Sequence, residues 1–216
     1  MKIIHLINSD IFIGNNKKFL NFSMKKYIIF TINNLNIFDL KKIIISVLLL
    51  KKYIKFIYKK KMKILFIGTK NFFRELIYKF SRSIRQPFVC NKWISGSLTN
   101  LQNYKKMINK LKIIRKKIKF KSYTKKEKIS FLKKEKKIEI LFGGFRNLKK
   151  TPKLIIISDI NKDKIIVNEA KRLKIKIASF LDSSDNCSKI DFILPCNNNS
   201  INSIKIILNI LFKNLC

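Results

Sequence analysis

Few residues in this chain are placed to do chemistry. Asp159, Asp182, Asp185 and Asp191 fall near the ends of apolar runs, where α/β enzymes gather reacting groups, and four carboxylates at strand ends could ligate Mg²⁺. No general base, nucleophile or glycine-rich loop accompanies them, so capping and turn formation is the ordinary employment of Asp at such places. Gly68-Thr69-Lys70 also follows an apolar run. It lacks the GxxxxGK[ST] and GxGxxG spacings that wrap a phosphate in backbone N–H groups and reads as a tight strand-to-helix turn. The four cysteines, Cys90, Cys187, Cys196 and Cys216, show no CxxC spacing, and the sole histidine is His5. Neither a zinc site nor a disulfide framework is written there. They read as isolated thiols in a reducing compartment, a metal shared with a neighbouring protein being the other option. The sequence therefore predicts no catalytic residue, no metal, no cofactor and no small-molecule substrate.

The chemistry it does predict is adhesion to a polyanion. Forty-nine Lys and Arg face twelve Asp and Glu, a net charge of +37, which repels itself unless an anionic partner neutralises it. Two stretches concentrate suitable groups. In Gln86 to Leu101, QPFVCNKWISGSLTNL, the only tryptophan, Trp93, sits among Asn91, Lys92, Thr99 and Asn100, polar donors of the kind that meet phosphate and ribose. Trp93 itself reads either as a core anchor or as a stacking platform, the core being the safer assignment. Residues 101–137 then carry sixteen bases against two acids. Two acids cannot balance sixteen bases as an ordinary solvated face would.

The elements that must hold these groups follow from periodicity. Tyr27 to Phe30 and Asn36 to Phe38 are short strands about an Asn33-Asn34 turn, and Asp39 is placed to cap the next helix. That helix contains Ile43 to Leu50, a run of eight residues that are apolar but for Ser46 and are flanked by lysines. The run is far short of the roughly 20 needed to span a bilayer, so a buried core helix is expected. Lys63 to Lys70 is a strand entering a turn and a helix. Leu101, Tyr104, Ile108, Leu111 and Ile118 alternate threes and fours, with Arg115 breaking the stripe. A second helix over Lys125 to Glu139 is expected to zip onto it through Ile129 and Leu132. Gly143-Gly144 returns the chain to strands at Leu154 to Ser158, Ile175 to Leu181 and Asp191 to Leu194, with helices between and after. Alternating strand and helix argues α/β: a Rossmann-like open parallel sheet flanked by helices. Residues 1–100 and 141–216 form the globular domain, with residues 101–140 inserted as a basic helical hairpin, a coiled coil.

The strings themselves resemble a family. ILFIGTK and QPFVCNKWISGSLTN are similar to the ILFVGTK-like strand and YVNNRWLGGMLTN-like loop of bacterial-type small-subunit ribosomal protein S-two. Asn21 to Tyr27, NFSMKKY, resembles its NPKMKPY, while YTKKE (Tyr123 to Glu127) and LFGGF (Leu141 to Phe145) resemble LTKKE and LGGI. PKLIIISDI, ASFLDSSD and DFILPCNNNSINSI follow PDALFVIDV, VAIVDTNSD and DYVIPGNDDAIRAI in order. In SDIFIGNN, similar to AGVHFGH, Phe12 and Asn15 stand where the family has histidines, and Ser95 stands where it has glycine. The resemblance implies a structural constituent of a small ribosomal subunit at the junction of head and body. Its implied partners are small-subunit rRNA and neighbouring ribosomal proteins, without a membrane. The candidate rRNA ligands are Asn21, Lys25, Lys26, Asn91, Lys92, Trp93, Thr99, Asn100, Lys105, Lys106, Lys110 and Lys112.

The rival class is an α/β enzyme acting on a nucleotide or RNA, which a catalytic constellation would favour. Heavy use of Lys, Ile, Asn and Phe is the bias of a very AT-rich gene. No Arg- and Ser-rich import signal is evident in MKIIHLINSDIF. The expectation is an organelle-encoded protein of the mitochondrial matrix, with a relict plastid as the alternative.

Overall fold

The computed structural model describes residues 10–119, 123–148 and 150–213. The chain opens with three antiparallel strands, β1 (Ile13–Asn16), β2 (Ile28–Ile32) and β3 (Leu35–Phe38), in the order β1-β3-β2. Asn33 and Asn34 carry φ of 47° and 63°. That left-handed pair suits a two-residue hairpin, and asparagine tolerates it better than most residues. The Asp39 side chain then accepts Lys41 N–H at 2.9 Å and starts α1 (Leu40–Lys59). Ile43, Val47, Leu50, Ile54 and Ile57 are its buried face. A run with seven apolar residues in eight necessarily circles a helix, so Ile45, Leu48 and Leu49 remain about half exposed; the expectation of a buried core helix holds for one face only. Among the described residues no helix is long and apolar enough to cross a membrane.

A second, parallel sheet carries the core. Its strands are β4 (Ile64–Ile67), β5 (Phe88–Val89), β6 (Leu154–Ile157), β7 (Lys176–Leu181) and β8 (Phe192–Pro195), ordered β5-β4-β6-β7-β8. Every residue of β4 and β6 is buried, as continuous Ile/Leu runs require when both faces are covered. The helices α2 (Asn71–Ser83), α5 (Lys164–Arg172) and α6 (Ile201–Phe212) connect and cover these strands. The order reverses at β4, the doubly wound arrangement whose crevice lies beyond the carboxyl ends of β4 and β6.

Between β5 and β6 the chain makes the hairpin of α3 (Leu101–Lys119) and α4 (Lys125–Phe142). Thr124 and Glu127 form a reciprocal capping box at the start of α4, which satisfies two otherwise unpaired N–H groups. The buried seam of α3 is Tyr104, Leu111 and Ile114. On α4 the register differs from the expected one: Ile129 and Leu132 are 53% and 42% exposed, whereas Phe131, Ile138 and Phe142 turn inward. Seven residues separate Phe131 from Ile138, so they share one stripe of the heptad. Arg115, which interrupts the apolar stripe in sequence, meets Glu135 at 2.6 Å and Glu139 at 3.3 Å across the hairpin. The inward position opposite a basic residue had to be acidic, which shifts the α4 seam away from Ile129 and Leu132.

Candidate nucleic-acid interface

At the carboxyl edge of the sheet, where a doubly wound fold leaves room for a ligand, this chain has filled the crevice with its own groups. Buried Lys70 donates to the Asn198 carbonyl at 3.0 Å, to Asn198 Oδ1 at 3.3 Å and to Asn199 Oδ1 at 2.8 Å. Thr69 Oγ1 donates to Asp163 at 2.7 Å. Asp182 accepts from Asn15 N–H and Ser183 N–H, and Asp185 from Asp182 N–H and the Asn198 and Asn161 amides. Asp159 caps the following turn through Asn161 N–H and Lys162 N–H, while Asp191, at the opposite, amino edge just before β8, pairs with Lys171 and Lys176. Burial pushes the carboxyls of Asp163 and Asp185 up to about 6, against the pull of their hydrogen bonds to Thr69 and Asp182 N–H. These aspartates fasten loops. Burial likewise lifts the Cys90 thiol to about 12 and Cys196 well above its ordinary value, the condition of inert thiols. His5 and Cys216 lie outside the described residues.

The Trp93 loop is organised by a residue that pattern reading passed over. Glu169, buried on α5, accepts Gly96 N–H at 2.7 Å, Trp93 Nε1–H at 3.3 Å and Leu98 N–H at 3.3 Å. Gly96 sits at φ +84°, a conformation that costs glycine nothing. Trp93 is half-buried, its ring 5.9 Å from that of Phe145, so it anchors the loop to the hairpin root. The only hint in sequence was an acid at the inward spacing of Ile166 and Ala170, in a chain with few acids.

The candidate ligands divide into two groups. Asn21 Oδ1 accepts from Ser23 N–H and Oγ–H. The Asn91 amide donates to the Ile140 carbonyl, Asn100 Oδ1 accepts Asn103 N–H, and Thr99 Oγ1 donates to the Gly96 carbonyl. With Trp93, these side chains shape the protein. Lys25, Lys26, Lys92, Lys105, Lys106, Lys110 and Lys112 are all exposed. None of the four on α3 meets a carboxylate among the described residues, because Glu135 and Glu139 are taken by Arg115 and Arg146. Beside the hairpin root, a hollow of about 510 Å³ is lined in part by Arg82, Arg85, Arg146 and Asn147. It adds arginines that the lysine-rich composition had obscured.

A parallel doubly wound sheet whose crevice is filled by its own side chains thus carries a cationic helical hairpin between β5 and β6. The family profile described as Ribosomal protein S2 matches residues 6–216. Small ribosomal subunit protein uS2 of Wolinella succinogenes is 32% identical over 211 residues, covering 93% of this chain and 75% of that one. The protein of the same description from Helicobacter pylori is 32% identical over 211 residues, covering 93% and 77%. That from Azobacteroides pseudotrichonymphae is 31% identical over 207 residues, covering 94% and 79%. The chain belongs to the ribosomal protein S2 family.

Proposed function

We propose that this protein is held in a small ribosomal subunit by rRNA and neighbouring ribosomal proteins at the head–body junction, and that its role is structural rather than catalytic. The relatives are named as small-subunit proteins, and membership of their family makes this chain a structural ribosomal protein. One observation carries the reading of its interface: among the described residues the exposed lysines of α3 find no acidic partner. A field of that density condenses onto phosphates, releasing counterions. Residues 101–140 act as an arm and residues 1–100 with 141–216 as its base. The Trp93 loop shapes the surface between them, so that Lys92 and the α3 lysines face one partner. An enzyme acting on a nucleotide is the weaker reading, since Lys70, Asn198 and Asn199 fill the crevice where a substrate would sit. The compositional bias supports an organellar ribosome, of the mitochondrion before a relict plastid; fractionation of the source cells followed by mass spectrometry of each ribosome pool checks that assignment.

The interface is tested by titrating the full chain with small-subunit rRNA over a range of salt. The wild type should lose affinity steeply, and K105Q/K106Q/K110Q/K112Q should shallow the log–log slope by about 3 to 4, one for each lost phosphate contact. A flat wild-type plot refutes the RNA reading. An unchanged slope in the quadruple variant moves the contacts off the arm.

A further inference from the structure

We propose that Phe19 and Phe22 form a stacking platform for unpaired RNA bases, flanked by Lys17, Lys18, Lys25 and Lys26 as phosphate contacts. The proposal rests on the RNA reading above and adds a second, structurally distinct surface to it. Both rings stand in solvent: Phe19 is 69% exposed and Phe22 88%, more than any other large apolar side chain among the described residues. They lie in the 3₁₀ turns Lys17–Phe19 and Phe22–Tyr27, and the interval from Ile11 to Phe38 contains no Asp or Glu. Cation, ring, ring, cation is the order of the segment KKFLNFSMKK. It sets charge on either side of the rings, where the phosphates flanking a stacked base would run.

The segment is also held in place. Asn16 Oδ1 accepts Lys18 N–H at 3.1 Å, and Asn21 Oδ1 accepts Ser23 N–H at 3.0 Å and Ser23 Oγ–H at 2.8 Å. Asn21 N–H reaches the Ser183 carbonyl at 2.9 Å, Cys187 N–H reaches Ser23 Oγ at 3.2 Å, and Met24 is fully buried beneath. An anchored backbone presents its rings without a large ordering cost on binding. Beside Phe22 an open hollow, lined by Ser23, Lys25, Lys26, Cys187, Ile190 and Ile193, offers an apolar floor next to a charged rim. A duplex hides its base faces, so the occupant this surface fits is a looped-out or single-stranded nucleotide.

The test compares fluorescent decauridylate and decaadenylate with a fully paired RNA stem-loop, each titrated with the full chain. F19A and F22A should each weaken binding of the single strands by roughly tenfold, leave stem binding within about twofold, and leave the salt slope unchanged because no phosphate contact is removed. F22W should bind as well as wild type or better, whereas F22L, which keeps apolar volume without a flat π-face, should behave as F22A. Wild-type affinity for the single strands in F22A, or equal weakening on both RNA forms, overturns the platform, as does full activity of F22L. In a parallel arm with phosphatidylglycerol–phosphatidylcholine vesicles, Phe22-dependent vesicle binding alongside Phe22-independent RNA binding assigns the rings to a lipid surface and likewise overturns it. A wild type that binds none of these RNAs at any salt removes the RNA reading as a whole, an outcome distinct from loss of the platform alone.

Discussion

Glu169→Ala should cost more than any other single polar change around the Trp93 loop. The carboxylate accepts three N–H groups, from Gly96, Trp93 and Leu98. A hydrogen bond to a charged acceptor contributes about 1.5–3 kcal/mol, and a buried donor left unpaired costs about 1–3 kcal/mol. Two of the three contacts are long, at 3.3 Å, so the low end applies to them. The sum is about 5 kcal/mol. For a chain of this size each kcal/mol moves the melting temperature by about 2–4 °C, so the midpoint should fall by roughly 10–20 °C. E169Q keeps one acceptor oxygen but turns an NH₂ group toward one of the donors, and should lose about half as much. The assay is urea unfolding followed by far-UV circular dichroism and by fluorescence. Trp93 is the only tryptophan, so emission reports on this loop alone, and it should shift to the red in E169A even in the folded state. Loss of less than about 1 kcal/mol together with native emission would show that the loop is held by apolar contacts and that the Glu169 bonds are incidental.

Three further outcomes are expected. Gly144→Ala places a Cβ 1.9 Å from the Phe88 carbonyl oxygen. Backbone must move, so the variant should lose about 3 kcal/mol or more by denaturant titration; a near-neutral result contradicts the close approach of hairpin root and β5. On the arm, I138Q should lower amide protection of α3 and α4 while I129Q/L132Q leaves it unchanged, since only Ile138 faces inward; the reverse pattern would restore the register expected from sequence. Asp163, with Asp159 and Lys162 nearby, titrates at about 6 in the fold against an ordinary 3.8. The folded state therefore holds its proton longer than the unfolded one, and this residue's contribution is full below pH 4 and lost as pH rises through 6. In D163N that decline should vanish, so its stability relative to wild type should rise by about 2–3 kcal/mol between pH 4 and 7 and stay level above. Parallel pH curves for the two proteins would refute the shift.

Much of the fold was legible because its signals are local. The unbroken apolar runs at Ile64 and Leu154, the Asn33-Asn34 turn and the Asp39 cap each declare themselves within a few residues. What escaped reading depends on partners distant in sequence. Ile129 and Leu132 have the right character for a seam, and only the pairing of Arg115 with Glu135 and Glu139 displaces them. Glu169 lies more than seventy positions from the loop it fastens. Asn21, Asn91 and Asn100 were legible as polar loop residues, but polar character does not say whether the partner is RNA or the protein's own backbone. The lysines posed the opposite difficulty, because in a chain with forty-nine Lys and Arg each one is uninformative while their sum is decisive.

The hairpin also bears on how the chain closes. β4 pairs with β6 only after the whole arm has been made, so the central pairing of the sheet is a long-range contact, the kind that slows folding. A flexible loop of that length resists closure, yet helices zip locally and fast, and Tyr104 lies 5.0 Å from Phe142 and 4.3 Å from Phe145 between ring centroids. Once zipped, the arm brings its two ends together and shortens the effective loop between β4 and β6 about twofold, which lowers the entropic cost of closure by about 0.6 kcal/mol. During synthesis on another ribosome, the arm would thus hold the first half of the sheet ready while the second half emerges.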